Sequence, residues 1–173
     1  MAGKKELIMA SALKLLEQRN YKEISVLDIV ADSGVNRNTF YYHFKDMPDL
    51  IETLVCRSID RAFDNTHGSL LDKLRAAVDS VYENRKIALH VYNYADRSVF
   101  DKGLDRASEH IIKRIFECCP EIQSRSEAEQ FRIFTICKSC TYGLICDWLL
   151  HGLVEDGKHQ MYAICEDCVN LLK

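Results

Sequence analysis

The stretch from residue 25 to 44 constrains the fold of this chain more than any other, because two helix starts and a forced turn follow one another within it. Ser25, with Asp28 three residues later, predicts a capping box at the start of a first helix. Gly34 follows a short helical run, and glycine adopts the positive φ that such a turn requires at the least cost. Asn36 is a good N-cap for a second helix. The sequence therefore predicts two short helices joined by a tight turn.

The inward faces of these two helices are predicted from their apolar residues. In the first helix, we expect Leu27, Val30 and Ala31 to point toward the core. In the second helix, predicted over residues 37–43, Phe40 and Phe44 lie four positions apart and are expected to point inward together. The polar and aromatic side chains between them are left for the opposite face.

The side chains on that opposite face are of types that suit the major groove of DNA. Arg37 can fork to guanine, Asn38 can pair with adenine, and Thr39 or an aromatic edge can touch a thymine methyl group. Other side chains are better placed for phosphates, which fix the register of the protein on the duplex. The expected DNA-contacting residues are Ser25, Asn36, Arg37, Asn38, Thr39, Tyr41, Tyr42, His43 and Lys45.

Residues 4–60, with ALKLLEQRNYKEISVLDIVADSGVNRNTFYYHFKDMPDLIETLV at their centre, resemble the DNA-binding domain of the TetR family of bacterial transcriptional regulators. The likeness rests on a first helix ending in N-Y, the I-x-x-x-x-G-V element, the T-F-Y-Y-H-F helix and the D-L opening of a fourth helix. Family members usually carry a lysine where this chain has Met47, so the family's phosphate contact is not expected from this side chain. Lys45 or the backbone amides of that helix end are its expected replacements.

The resemblance implies two domains. The first, over residues 2–62, is a three-helix DNA-binding domain with its helix-turn-helix at 25–44. The second, over residues 63–173, is a helical bundle for dimerisation and effector binding. Apolar residues recur at helical spacing beyond residue 67 and no strand alternation appears, so we expect an all-α protein.

The small number of base pairs that one recognition helix contacts also predicts a homodimer on a palindromic double-stranded DNA operator. One recognition helix touches only a few base pairs, and a two-fold symmetric protein supplies two half-sites. The last two helices are the expected interface, with Ser139 and Gly143 forming a step of small residues. The family resemblance implies a repressor that responds to an effector, either a small molecule or a protein.

The phrase YGLICDWLLHGL resembles the C-terminal signature of a subgroup that includes the activator of a bacterial dihydroxyacetone kinase operon. This leaves an alternative in which the C-terminal domain binds a partner protein and the regulator activates transcription. Candidate residues for an effector pocket between helices are His90, Tyr94, His110, Tyr142 and Trp148. Each of them also suits ordinary packing or a place on the surface.

Eight cysteines are unusual in a chain without an export signal, and they include two C-x-x-C pairs. Each pair lies on the apolar stripe of a predicted helix, so the simplest interpretation is small core residues, and no metal or cofactor is expected. The alternative is a metal-binding or thiol-redox sensor. Its residues are Cys137, Cys140, Cys165 and Cys168.

Composition agrees with a regulator and excludes several other classes. Residues 1–67 carry nine Lys and Arg against ten Asp and Glu, so DNA binding depends on local arrangement instead of a basic block. No catalytic motif is present, and we expect no enzyme. The N-terminus MAGKKE is no signal peptide and no uninterrupted apolar run approaches 18 residues, so we expect a cytoplasmic protein without a membrane partner.

Overall fold

The computed structural model describes residues 3–171, and this part of the chain folds into helices without any strand. Ala2, at the start of the expected first domain, and Leu172 and Lys173, at the end of the second, lie outside the described residues. The helices are α1 Lys4–Gln18, α2 Val26–Ser33, α3 Arg37–His43, α4 Met47–Asn65, α5 Leu70–Glu83, α6 Arg85–Tyr94, α7 Arg97–Glu117, α8 Pro120–Gln123, α9 Glu127–Leu150 and α10 Glu155–Leu171. The all-α expectation is confirmed.

The helix-turn-helix forms through the local signals that predicted it. Ser25 caps α2, with its hydroxyl accepting the Asp28 amide hydrogen bond at 3.3 Å and its own amide donating to the Asp28 carboxylate at 2.8 Å. Gly34 ends α2 at φ 69°, in the left-handed region. The Asn36 side chain then accepts the Thr39 amide hydrogen bond at 2.8 Å and starts α3. Both caps and the turn are confirmed.

The inner face of α2 differs from the expected one. Ile29 is fully buried and Val26 and Val30 pack beside it, whereas Leu27 is 60% exposed and Ala31 is also exposed. The cap at Ser25 fixes where the first turn begins, so the stripe at positions 26, 29 and 30 faces α1. The prediction of Leu27 and Ala31 as inward residues is therefore wrong, and only Val30 of that set is correct.

The N-terminal core joins α1, α2, α3 and the first half of α4. Its fully buried side chains include Ile8, Leu16, Phe40 and Leu50. The second half of α4 packs instead on α5 and α7, through Ala62 and Phe63. α4 thus belongs to both halves of the molecule, and the expected domain boundary at 62/63 falls within this helix, close to its end.

Polar side-chain contacts tie α4 to α7 along its length. Arg106 of α7 lies 2.5 Å from Glu52, His110 lies 2.8 Å from Asp60, and Arg114 pairs with Asp64. Acidic side chains of α4 therefore face basic side chains of α7. This contact holds α4 against the C-terminal bundle.

The turn between α9 and α10 is built around Trp148, which is 4% exposed and donates from Nε1 to the Val154 carbonyl at 3.1 Å. Gly152 has a φ of 78°, and buried Leu153 follows it at φ 51°. In the first turns of α10, a Cβ added at Gly157 would lie 2.6 Å from the Trp148 ring. Glycine at 157 lets the indole approach the backbone of α10 closely.

α9 is a long helix with little of its surface covered, since only Trp148 and Leu149 of its 24 residues are buried. Within residues 3–171, it is the one helix that is long and apolar enough to cross a membrane by length and composition alone. Its most apolar stretch of 18 residues has a mean hydropathy of 1.3, and 11% of that stretch is buried. One side of α9 packs on α7, while Phe131, Ile136 and Leu150 are exposed. An apolar helix with one uncovered side is typical of a surface that packs against another protein.

Candidate nucleic-acid interface

α3 is anchored by aromatic packing. Phe40 and Phe44 are 0% and 2% exposed, and their ring centroids lie 5.7 Å apart. The Lys5 ammonium lies 5.6 Å from the centroid of the Phe44 ring, which brings the start of α1 close to α3. The expected inward pair is confirmed, and it holds a helix of seven residues that has too little length to be stable alone.

The outer face of α3 presents the residues expected to read bases. Arg37, Asn38, Tyr41 and Tyr42 are all exposed, Tyr42 to 85%. The Arg37 guanidinium donates to the Tyr41 hydroxyl at 3.5 Å and lies 5.5 Å from the centroid of its ring. Tyr41 thus restricts Arg37 to one side of the helix, which lowers the entropy that Arg37 loses when it binds a base.

The structure places three of the expected contact residues in helix caps. The side chains of Ser25 and Asn36 already accept backbone hydrogen bonds, and the Thr39 amide is the donor to Asn36. Thr39 itself is half-buried at the margin of α3. These residues fix the start of each helix, so any contact with DNA uses the side-chain atoms that capping leaves unused.

The residues that follow α3 include Lys45, which is expected to contact phosphate. Lys45 is exposed, and its ammonium has no partner among residues 3–171. Met47 packs against the N-terminal core. Asp46 accepts the Asp49 amide hydrogen bond and Asp49 accepts that of Lys45, each at 2.9 Å. Because carboxylates occupy these amides, Lys45 stays the predicted replacement for the missing lysine.

Acidic side chains of α2 form ion pairs with a basic side chain of α1 and with another just after the end of α1. Lys14 lies 2.5 Å from Asp32, and Arg19 lies 3.3 Å from Asp28. Hydrogen bonds from Ser25 hold the pKa of Asp28 below its usual value, and a hydrogen bond from Lys14 does the same for Asp32. Paired carboxylates repel phosphates less than free ones, which suits a domain with little net positive charge.

The residues expected to line an effector pocket lie at separate helix junctions. His90 contacts the Leu16 carbonyl of α1, His110 contacts Asp60 of α4, and Tyr142 donates to Asp101 of α7 at 3.1 Å. Burial and the Asp101 hydrogen bond raise the pKa of Tyr142 to about 12. Trp148 lies in the last turn of α9 and its indole donates to Val154 in the turn that follows, and Tyr94 is exposed. The structure does not gather these side chains, and the pocket stays a prediction.

Two open clefts lie elsewhere on the surface. One, of about 360 Å³, lies between α4 and α5, and the other, of about 390 Å³, lies between α1 and α4. Neither is lined by any of the five expected pocket residues. Their walls mix both signs of charge, as in the pair of Arg57 and Glu6 at 2.5 Å.

The four cysteines of the C-x-x-C pairs lie on α9 and α10, with Cys140 and Cys168 exposed and Cys137 and Cys165 half-buried, so the interpretation of the pairs as core residues is wrong for Cys140 and Cys168. Burial, and then the nearby Cys168 and Cys140 thiols, raise the pKa of Cys137, and burial raises the pKa of Cys165 to about 11. Within residues 3–171, no three His, Cys, Asp or Glu side chains are arranged to hold a metal ion. Raised thiol pKa values are the opposite of what a reactive cysteine requires.

Comparison with known proteins agrees with this geometry. Residues 8–54 match the family described as bacterial regulatory proteins, tetR family, and residues 68–170 match the family described as transcriptional regulator C-terminal region. The chain is 39% identical over 67 residues to the HTH-type transcriptional regulator EthR of Mycolicibacterium smegmatis, a match that covers 36% of this chain and 30% of EthR. The chain thus matches under a third of the length of this relative.

Solved structures share the fold over nearly the whole chain. The dihydroxyacetone kinase operon activator DhaS has a TM-score of 0.66 at 17% identity, over 98% of this chain and 93% of DhaS. The TetR family repressor AlkX from Dietzia sp. has a TM-score of 0.61 at 13% identity, over 96% of each chain. With the DNA-binding segment and most of the C-terminal bundle matched, the chain belongs to the TetR family of bacterial transcriptional regulators.

Proposed function

We propose that this regulator binds a palindromic DNA operator as a homodimer and reads each half-site with α3. The observation that carries the proposal is the outer face of α3, where Arg37, Asn38 and Tyr42 stand exposed on a helix fixed by a buried aromatic pair. Side chains of these types match the donor and acceptor pattern of guanine, adenine and the thymine methyl group in the major groove. The protein is proposed to act in the cytoplasm, where its operator lies.

The proposed dimer uses the uncovered side of α9. The exposed positions of this helix follow a helical stripe that includes Ile136, Ser139, Gly143 and Leu150. Small residues in the middle of a stripe let a second helix approach closely, and apolar residues around them supply the buried area. A second copy of the chain is the proposed occupant because a two-fold pair of readers is needed for an inverted repeat.

The proposed sign of regulation is repression with release by an effector at the C-terminal bundle. An effector acts only if it binds better to a conformation in which the two recognition helices are wrongly spaced. The second candidate is an activator whose C-terminal domain binds a partner protein, and the fold likeness to an operon activator favours it. Metal or redox sensing by the cysteines is less well supported because their pKa values are raised.

Selection of bound duplexes from a random DNA library tests the reader. We expect the full-length protein to enrich an inverted repeat, with two chains per duplex. Arg37→Ala and Asn38→Ala are each expected to lose discrimination at one or two base positions, about 1–3 kcal/mol per lost bidentate pair.

Asn170→Ala is the matched control, because Asn170 is an exposed asparagine on α10. This variant is expected to select the same repeat as the wild type. Equal affinity of the wild-type protein for selected and random duplexes would refute sequence-specific binding. Enrichment of one undivided site with one chain bound would refute the dimer alone.

A further inference from the structure

α6 lies between the DNA-binding domain and the C-terminal bundle and contacts both. Ile87 and Val91, one turn apart, pack against the N-terminal core. Side chains on another side of the helix pack against the core around Trp148; they are Ala88, Leu89 and Tyr92. α6 thus connects the DNA-binding domain directly to the C-terminal bundle, as does α4, which runs through both.

His90 makes the polar contact of α6 with the reader. Its Nδ1 lies 2.9 Å from the carbonyl oxygen of Leu16, in the last turn of α1. If α1 continued, that carbonyl would accept from the Asn20 amide, but this amide donates to the Glu23 carboxylate at 3.4 Å instead. A carbonyl only accepts, so Nδ1 of His90 carries the hydrogen and caps a free helix end.

The position of α1 determines the position of α3. Ile8 and Leu16 of α1 are fully buried in the same core as Phe40 and Phe44 of α3. Close-packed interiors transmit displacements, so α1 and α3 are expected to move together. The contact between His90 and Leu16 therefore restrains the orientation of α3 relative to the bundle, in addition to the restraint that the continuous α4 supplies.

We propose that His90 is a positioning residue that fixes the distance between the two recognition helices of the dimer, and so the half-site spacing that the protein accepts. This inference rests on the proposed homodimer and inverted-repeat operator. A reader held at one orientation accepts one spacing, because half-sites one base pair further apart are displaced along the duplex and rotated about it. A reader that swings freely accepts neighbouring spacings as well.

A matched pair of variants isolates the hydrogen bond. His90→Asn keeps an amide donor near the place of Nδ1, and His90→Leu has nearly the same shape as asparagine but no donor. The measurement is the ratio of affinities for the selected operator and for operators with one base pair added or removed between half-sites. We expect His90→Leu to lower this ratio about threefold to tenfold, as befits one hydrogen bond, and His90→Asn to keep it.

Base preferences within each half-site should be unchanged in both variants, because α3 is untouched. If His90→Leu does not fold, as judged by circular dichroism, Ile87→Ala takes its place, since it weakens the same contact by packing. An unchanged spacing ratio in the donor-free variant overturns the inference while the proposed operator stands. Failure of the wild-type protein to select two half-sites overturns both.

Discussion

At the scale of residues, Arg37 and Lys45 differ in how they are held, and this predicts different roles on DNA. Arg37 is restrained by Tyr41, both through the hydroxyl and over the ring. Lys45 is exposed on the loop after α3, and its ammonium contacts no group in residues 3–171. A restrained, planar donor suits a base edge, and a mobile point charge suits a phosphate.

Lys45→Ala is expected to weaken binding to all duplexes alike and to leave base preference unchanged. Each neutralised phosphate contributes about 0.9 to the slope of log affinity against log salt concentration, so the slope should fall by about that amount. Fluorescence anisotropy over a range of salt concentrations measures it. Lys102→Ala, the same charge change at an exposed site on α7, is the control. An unaltered slope with altered base preference would assign Lys45 to a base instead.

At the same scale, Gly157 shows how one missing Cβ allows a close helix contact. Gly157→Ala is expected to destabilise the protein by about 1–3 kcal/mol, because a Cβ there lies 2.6 Å from the Trp148 ring. Urea denaturation followed by tryptophan fluorescence measures the change in the free energy of unfolding.

Gly103→Ala is the matched control for that substitution. Gly103 lies in α7, and a Cβ added there meets no atom within 4 Å. Alanine inside a helix is usually stabilising relative to glycine, by about 1 kcal/mol. If both variants shift stability by the same amount and sign, the contact with Trp148 is not what requires glycine at 157.

At the scale of elements, local signals were enough to predict where the helices of the helix-turn-helix begin. Long-range packing determines which side chains are buried and which residues contact each other. Ser25, Gly34 and Asn36 act through atoms a few residues away, so the bounds of the helix-turn-helix followed from the sequence. The exposure of Leu27 did not, because it depends on how α1 lies over α2. The partner of His90 lies 74 residues away in sequence, and no periodicity signals such a pairing.

The capping boxes predict how stability depends on pH. Hydrogen bonds from Ser25, Ser69 and Ser126 hold the pKa values of Asp28, Asp72 and Glu129 below their usual values. Because the folded-state pKa values are lowered, the unfolded chain binds protons at a higher pH than the folded protein does. The stabilisation is therefore complete above the unfolded values near 4, and it is lost as the pH falls through the lower folded values.

Asp72→Asn is expected to make the stability depend less steeply on pH below about pH 5. The measurement is the urea midpoint from pH 7 down to pH 3. Asp167→Asn is the matched control, because Asp167 is exposed on α10 and makes no hydrogen bond or ion pair within the described chain. If the two variants lose stability with identical pH dependence, the α5 cap is not a source of acid sensitivity.

At the scale of the whole molecule, the low net charge of the DNA-binding domain and the short α3 make the affinity for DNA depend on the proposed dimer. The first 67 residues have a net charge of −1, so few phosphate contacts are available to supply affinity. α3 has seven residues, which span little of one half-site. Joining two readers makes the second binding event intramolecular, which raises affinity without any new type of contact.

Ile136→Lys tests this assembly, because Ile136 is 63% exposed on the uncovered side of α9. A lysine there would bury its charge in a helix-to-helix interface, so we expect the solution mass measured by light scattering to fall from two chains to one. Binding to the inverted repeat should weaken strongly, with each half-site filled independently. Leu27→Lys, at a side chain 60% exposed on α2, makes the same kind of change away from α9 and should leave the mass at two chains. A dimer that persists in Ile136→Lys would move the interface to another surface and leave the exposed side of α9 for a different partner.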